Sequence, residues 1–164
     1  PLIISMPSRL PRGTVVQTPV GGIDIVPTFF SFAGIEQPWE MQGQDLTPLL
    51  KDPNAEGDRP MLLAATGRNY GSDTHVIPKG DDAMHGDVPW YVMIRHGKYK
   101  YVRPLIEDIE ELYDMQADPD ELDNLAVKAE FQDKLRQMRE MAISELRRNK
   151  AGFVDNMPPV QSGL

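Results

Sequence analysis

The chain has 164 residues, 17 Lys+Arg against 25 Asp+Glu for a net charge of −8, and 40% hydrophobic residues, the composition of a globular chain of one domain or two small ones. No apolar run approaches the ~18 residues of a membrane-spanning helix, no basic-then-apolar leader opens the sequence, and an acidic chain without a basic stretch is a poor nucleic-acid binder. The lack of cysteine excludes disulfides, thiolate-bound zinc and a cysteine nucleophile, and leaves the compartment open.

Leu2-Ile3-Ile4-Ser5-Met6 is a β-branched apolar run and predicts a buried strand. A chain that opens inside such a strand reads as a piece of a longer protein. Pro7 to Gly13 is turn-rich. Val26, Phe29, Phe30 and Ala33 fall at i, i+3, i+4 and i+7, one face of a helix, with Asp24 as candidate N-cap and Gly34 as the left-handed stop. Residues 36–60 are irregular apart from a short helical turn at Leu46 to Leu50. Met61 to Thr66 predicts a strand, and 67–89 a long loop of the kind that is often functional. Trp90–Arg95 and Lys98–Arg103 predict two strands joined at His96-Gly97, with Tyr99 and Tyr101 on one face and Lys98 and Lys100 on the other. Glu111-Leu112-Tyr113-Asp114 predicts a further strand and Asp118-Pro119-Asp120 a turn. Phe131, Leu135, Met138, Ala142 and Leu146 trace the apolar stripe of an amphipathic helix over about 126–149. Arg147, Arg148 and Lys150 suit its C-terminal dipole. Residues 151–164 read as a tail.

Taken together, several of these segments resemble the C-terminal part of the sulfatase family, in the alkaline-phosphatase-like superfamily. They are Pro1 to Pro7, Thr18 to Thr28 with Ala33-Gly34-Ile35, and Gly43 to Leu50; then Arg95 to Val102, Glu111 to Asp114, Asp118 to Glu121, and Asn124-Leu125. Each motif is weak alone; their order and spacing across about residues 1–130 carry the resemblance. It implies an α/β core fragment followed by an α+β part, in which a small antiparallel sheet is packed by a C-terminal amphipathic helix. The divisions it implies are residues 1–60 as the end of the α/β core, 61–150 as a C-terminal α+β subdomain, and 151–164 as the tail.

Ser5-Met6-Pro7-Ser8-Arg9 has the Ser-x-Pro-Ser-Arg form that sulfatases oxidise to a formylglycine nucleophile. Two observations argue against that role. The active motif opens a helix, whereas Pro11 falls where the helix interior would follow, at a cost of roughly 3 kcal/mol. The strand before it also matches a late core strand, downstream of the nucleophile. The expected role is a strand-to-loop exit.

Sulfate-ester hydrolysis needs an aldehyde-hydrate nucleophile, a divalent cation on the sulfate oxygens and a proton donor for the leaving group. The resemblance implies Ca²⁺ and formylglycine in the parent enzyme, both held by residues upstream of Pro1, so no catalytic or metal-binding residue is assigned in this chain. The Asp81-Asp82 pair lies at the wrong place in the family order and reads as a solvated loop pair. His96 reads as a hairpin residue. The 67–89 loop carries His75, His85, Arg68 and Lys79, and loops of this subdomain can border the family's substrate pocket. Arg and Lys suit anionic groups and His suits hydroxyls. These four are the candidate substrate-binding residues, His85 first.

The expected activity is sulfate-ester hydrolysis by the parent, on a sugar or aryl substrate, with the fragment alone inactive. The implied partners are the remainder of the sulfatase chain and a sulfated small molecule or glycan, with no nucleic acid and no membrane. The implied location is periplasmic or secreted. A phosphodiesterase or phosphonate hydrolase of the same superfamily, and a non-enzymatic binding or assembly module, are the alternatives.

Overall fold

A computed structural model describes residues 2–55, 59–67, 75–161 and 163. The chain divides into two compact units, Pro1–Arg59 and Pro60–Leu164.

In the first unit, a 3-10 turn at Gly22–Asp24 runs into helix α1, Ile25–Ala33. Gly34 takes φ 66° and ends the helix, with the Ile35 N–H returning to the Phe30 carbonyl at 3.1 Å. A residue without Cβ adopts this left-handed conformation at little cost. Asp24 is 3% exposed and does more than cap. One carboxylate oxygen accepts the Gly21 N–H at 2.7 Å, and the other accepts the Gln44 N–H at 2.8 Å, tying the 43–46 segment to the helix start. Buried Thr28 adds a second tie: its hydroxyl donates to the Asp24 carbonyl at 2.6 Å and accepts the Leu46 N–H at 2.9 Å. Helix α2, Thr47–Lys51, follows and buries Leu49.

Gly43 is where these ties close. A Cβ built there would stand 2.0 Å from the Ile23 carbonyl oxygen, which is backbone and cannot swing aside. Gly43→Ala is therefore expected to destabilise this unit by about 1–3 kcal/mol. Hydrogen exchange checks it: the Gln44 amide should lose protection while amides of the 60–164 sheet keep theirs.

Two expectations for this unit are corrected. Leu2–Met6 forms no strand, and Leu2 and Ile3 are 45% and 87% exposed. An extended segment becomes a strand only by pairing, and no ladder partner stands beside it among the described residues. In α1 it is Pro27 and Thr28 that are buried, while Val26 and Phe29 of the predicted apolar face are 48% and 60% exposed. Periodicity identifies a face able to be buried; it does not supply the surface that buries it. The Ser5–Arg9 segment is a turn, in which the Arg9 and Leu10 amides both donate to the Met6 carbonyl at 2.9 Å.

The second unit holds a four-stranded antiparallel sheet in the order β1-β4-β5-β6: β1 Met61–Ala65, β4 Tyr91–His96, β5 Tyr99–Pro104 and β6 Glu111–Asp114. Strands β2 (Met84–His85) and β3 (Val88–Pro89) form a separate small hairpin. The 67–89 stretch, expected as plain loop, thus carries this hairpin and a 3-10 turn at Gly80–Ala83. His96 pairs with Tyr99, so the β4–β5 turn is Gly97-Lys98, one residue later than the sequence suggests.

Alternation places Val92 and Ile94 of β4, Tyr101 of β5 and Leu112 of β6 on one face, all 0% exposed. Helix α3, Gln132–Arg148, lays Leu135, Met138, Ala142 and Leu146 against the same core cluster. Each such side chain is worth roughly 1.5–3 kcal/mol on burial. Two 3-10 turns at 125–127 and 129–131 precede α3, so the α-helix starts at 132 rather than near 126. Lys98 and Lys100 meet acids instead of core: Lys98 Nζ is 2.5 Å from Asp114 and Lys100 Nζ 2.5 Å from Glu121. The Lys98 ammonium in turn holds the Asp114 carboxyl below its ordinary range.

The expected tail is also corrected. Phe153 is 1% exposed within the core cluster, with Ala151, Val154 and Met157 packed at its edge, and a 3-10 turn forms at Val154–Asn156. A lone Phe after a helix has no periodicity to announce its burial.

Candidate functional site

The 60–164 unit carries a cleft of about 660 Å³. Three stretches wall it: residues 77–84, residues 105–107 and residues 156–159. The first is fixed by the Asn156 side-chain amide, which donates to the His75 carbonyl at 2.9 Å, and by the Trp90 N–H, which donates to the Ala83 carbonyl at 2.8 Å. The second continues β5: the Leu105 N–H reaches the Trp90 carbonyl at 2.7 Å, and Leu105 is buried. The third is clamped by buried Arg103, whose Nη2 donates to the Pro158 carbonyl at 2.7 Å, and follows directly from buried Phe153.

The floor is apolar, from Ile77, Met84, Leu105, Ile106, Pro158 and Pro159. The rim is polar, from Lys79, Asp81, Glu107 and Asn156. An apolar floor with a few convergent polar groups is the usual build of a small-molecule site.

Of the four sequence-nominated residues, Lys79 lines this cleft. His75 reaches its margin through the backbone carbonyl that Asn156 holds, with its side chain exposed. His85 is exposed on β2, opposite Val88; its neighbour Met84 lines the cleft and His85 does not. Arg68 lies outside the described residues. Glu107, Asn156, Pro158 and Pro159 were not nominated. The only signal for the last two was the Pro-Pro pair itself, which fixes backbone and favours a rigid wall.

Asp81 and Asp82 sit exposed on the 3-10 turn. Among the described residues no group of three or more His, Asp or Glu is gathered to hold a cation. The described residues thus gather no carboxylate cluster of the kind that holds Ca²⁺.

A second charged cluster is structural. Glu110, 3% exposed, accepts the Tyr101 hydroxyl proton, takes a forked pair from Arg139 (Nε 2.9 Å, Nη2 2.5 Å), and its carbonyl accepts from Asn124 at 3.1 Å. Burial and the neighbouring Glu110 charge push the Tyr101 phenol well above its ordinary pKa, so it stays a donor. These bonds tie β5, the start of β6 and α3 together.

Comparison with known proteins bears on the fold and the family. The profile of the family described as N-sulphoglucosamine sulphohydrolase, C-terminal, matches residues 1–65. An N-acetylglucosamine-6-O-sulfatase of Bacteroides thetaiotaomicron is 32% identical over 161 residues, covering 96% of this chain and 26% of the relative. A solved structure in complex with its substrate D-glucosamine-2-N,6-O-disulfate superposes with TM-score 0.58 at 28% identity, over 79% of this chain and 25% of that one. A phosphonate monoester hydrolase of Agrobacterium radiobacter shares the fold, with TM-score 0.54 at 23% identity, over 77% of this chain and 24% of that one. The fold is that of the C-terminal region of the alkaline-phosphatase-like superfamily. Within it, the chain is a C-terminal portion of the sulfatase family. It spans about a quarter of the length of the curated relatives it matches.

Proposed function

We propose that this chain completes a longer polypeptide that hydrolyses sulfate esters of sugars, and that it is inactive alone. The observation that carries the first half is the surface of residues 1–59. Eight large apolar side chains there are exposed, among them Ile3 at 87%, Val15 at 71%, Phe29 at 60% and Trp39 at 62%. A free-standing protein rarely shows so much apolar surface in so short a stretch. A neighbouring part of the same polypeptide would bury it and supply the strand partner that Leu2–Met6 lacks. The sugar half is supported by the relatives, two of whose names or bound ligands are glucosamine sulfates.

In this reading Ca²⁺ and the formylglycine nucleophile are held upstream, and the 67–89 stretch borders the substrate, with His85, His75, Lys79 and Arg68 as its contacts. The family resemblance supports a periplasmic or secreted location in this reading; no described helix is long and apolar enough to cross a membrane.

The test is sulfate release from N-acetylglucosamine 6-sulfate by the longer polypeptide and by the 164-residue chain. The longer form is expected to turn over and the short form not. His85→Ala in the longer form should raise KM with the circular-dichroism melt unchanged. Turnover by the short chain, or activity of the longer form only on phosphonate monoesters, would overturn the proposal.

A further inference from the structure

We infer that the cleft walled by residues 77–84, 105–107 and 156–159 binds an uncharged hexose ring, the unsulfated neighbour of a sulfated sugar. The inference deepens the sulfated-sugar reading and rests on it for biological context, but its test reads binding to this cleft directly.

Charge decides which part of a glycan fits. The rim carries one cation, Lys79, and two anions, Asp81 and Glu107. None of the three side chains makes an ion pair or hydrogen bond among the described residues, so all three are available to a ligand. The net charge of the rim is negative, which repels a sulfate group. An electroneutral ring bearing hydroxyls suits it better. Each hydroxyl both donates and accepts. The Asp81 and Glu107 carboxylates accept from such groups, the Asn156 amide oxygen adds an acceptor, and the Lys79 ammonium donates.

Shape points the same way. A pyranose presents a broad C–H face, and the cleft's lining offers apolar partners for it in Met84, Ile77, Ile106, Pro158 and Pro159. The walls are held from behind by the Arg103–Pro158 and Asn156–His75 hydrogen bonds, so little ordering is needed on binding. A volume near 660 Å³ admits one or two sugar rings.

The experiment uses the 164-residue chain with ¹³C-methyl methionine. The probes are chitotriose, which is neutral, N-acetylglucosamine 6-sulfate, and trilysine. Chitotriose should give a saturable shift of the Met84 methyl with a Kd of about 1 mM. The sulfated monosaccharide should bind there more weakly. Glu107→Ala should weaken chitotriose about tenfold, the loss of one charge-assisted hydrogen bond. Lys79→Ala should weaken it in the same direction. The Asp81→Asn, Glu107→Gln double variant, which leaves the rim cationic, should invert the preference toward the sulfated sugar. All these side chains lie at the surface, and the remaining methionine signals report an intact fold. The inference is overturned if Met84 does not respond to chitotriose, if the sulfated probe binds tighter to the unaltered chain, or if trilysine outcompetes the sugar. A binding result here with no sulfatase activity in the longer polypeptide would sink the proposed function and leave this inference standing.

Discussion

Phe153→Ala is expected to cost about 3–5 kcal/mol, the range for removing a fully buried aromatic ring. The residue lies beyond the last helix, in the stretch that composition alone marks as a tail, yet it is 1% exposed and joins Leu146 and Trp90 in the core cluster. Its loss leaves a void between α3 and the sheet that neither can collapse to fill. The 3-10 turn at 154–156 would loosen with it, and so would the Asn156 tie to His75. Urea denaturation followed by tryptophan fluorescence checks the number, since Trp90 sits in the same cluster. Val160→Ala is the control: at 36% exposure it should shift stability by less than about 0.5 kcal/mol.

Arg139→Leu is expected to cost about 3 kcal/mol, the low end for breaking a buried ion pair because Arg139 keeps part of its side chain in solvent. The cost comes from what is left behind. Glu110 would keep its charge at 3% exposure, bonded to Tyr101 and without its ion-pair partner to offset its desolvation. The partner experiment separates this from lost packing. Adding Glu110→Gln to the Arg139→Leu background removes the stranded charge and should recover a substantial share of the stability. If the double variant is no better than the single one, the stranded carboxylate is not the cause.

Much of the second unit is legible in the sequence because its two periods are clean. Val92 and Ile94 alternate with Tyr91 and Met93, and the stripe from Leu135 to Leu146 keeps helical spacing, so both faces can be named before any coordinates. The charged pairs and Phe153 are not legible. Glu110 and Arg139 stand 29 residues apart, and nothing local marks either as buried. The first unit misleads for a different reason. Its apolar periodicity is real, but the pattern reports what α1 can bury, and Val26 and Phe29 remain in solvent. Of the residues that line the cleft, Lys79 is legible in the sequence only as part of the 67–89 stretch. Glu107 and Asn156 were missed because a rim is assembled from three distant stretches, and spacing along the chain carries no trace of it.

The Asp24–Thr28 arrangement has a thermodynamic consequence. Among the described residues of 1–59, six side chains are buried, namely Leu10, Asp24, Pro27, Thr28, Leu46 and Leu49, and the two that organise the rest are polar. Cohesion of that kind depends on hydrogen-bond geometry more than on withdrawal of oily surface from water. Opening it exposes little new apolar area, so its heat-capacity increment is small and its melting broad. The sheet-and-helix unit, with its aromatic and aliphatic interior, carries most of the calorimetric signal. A single sharp endotherm for the 164 residues would therefore report the second unit, while the Asp24 knot frays beneath it almost silently.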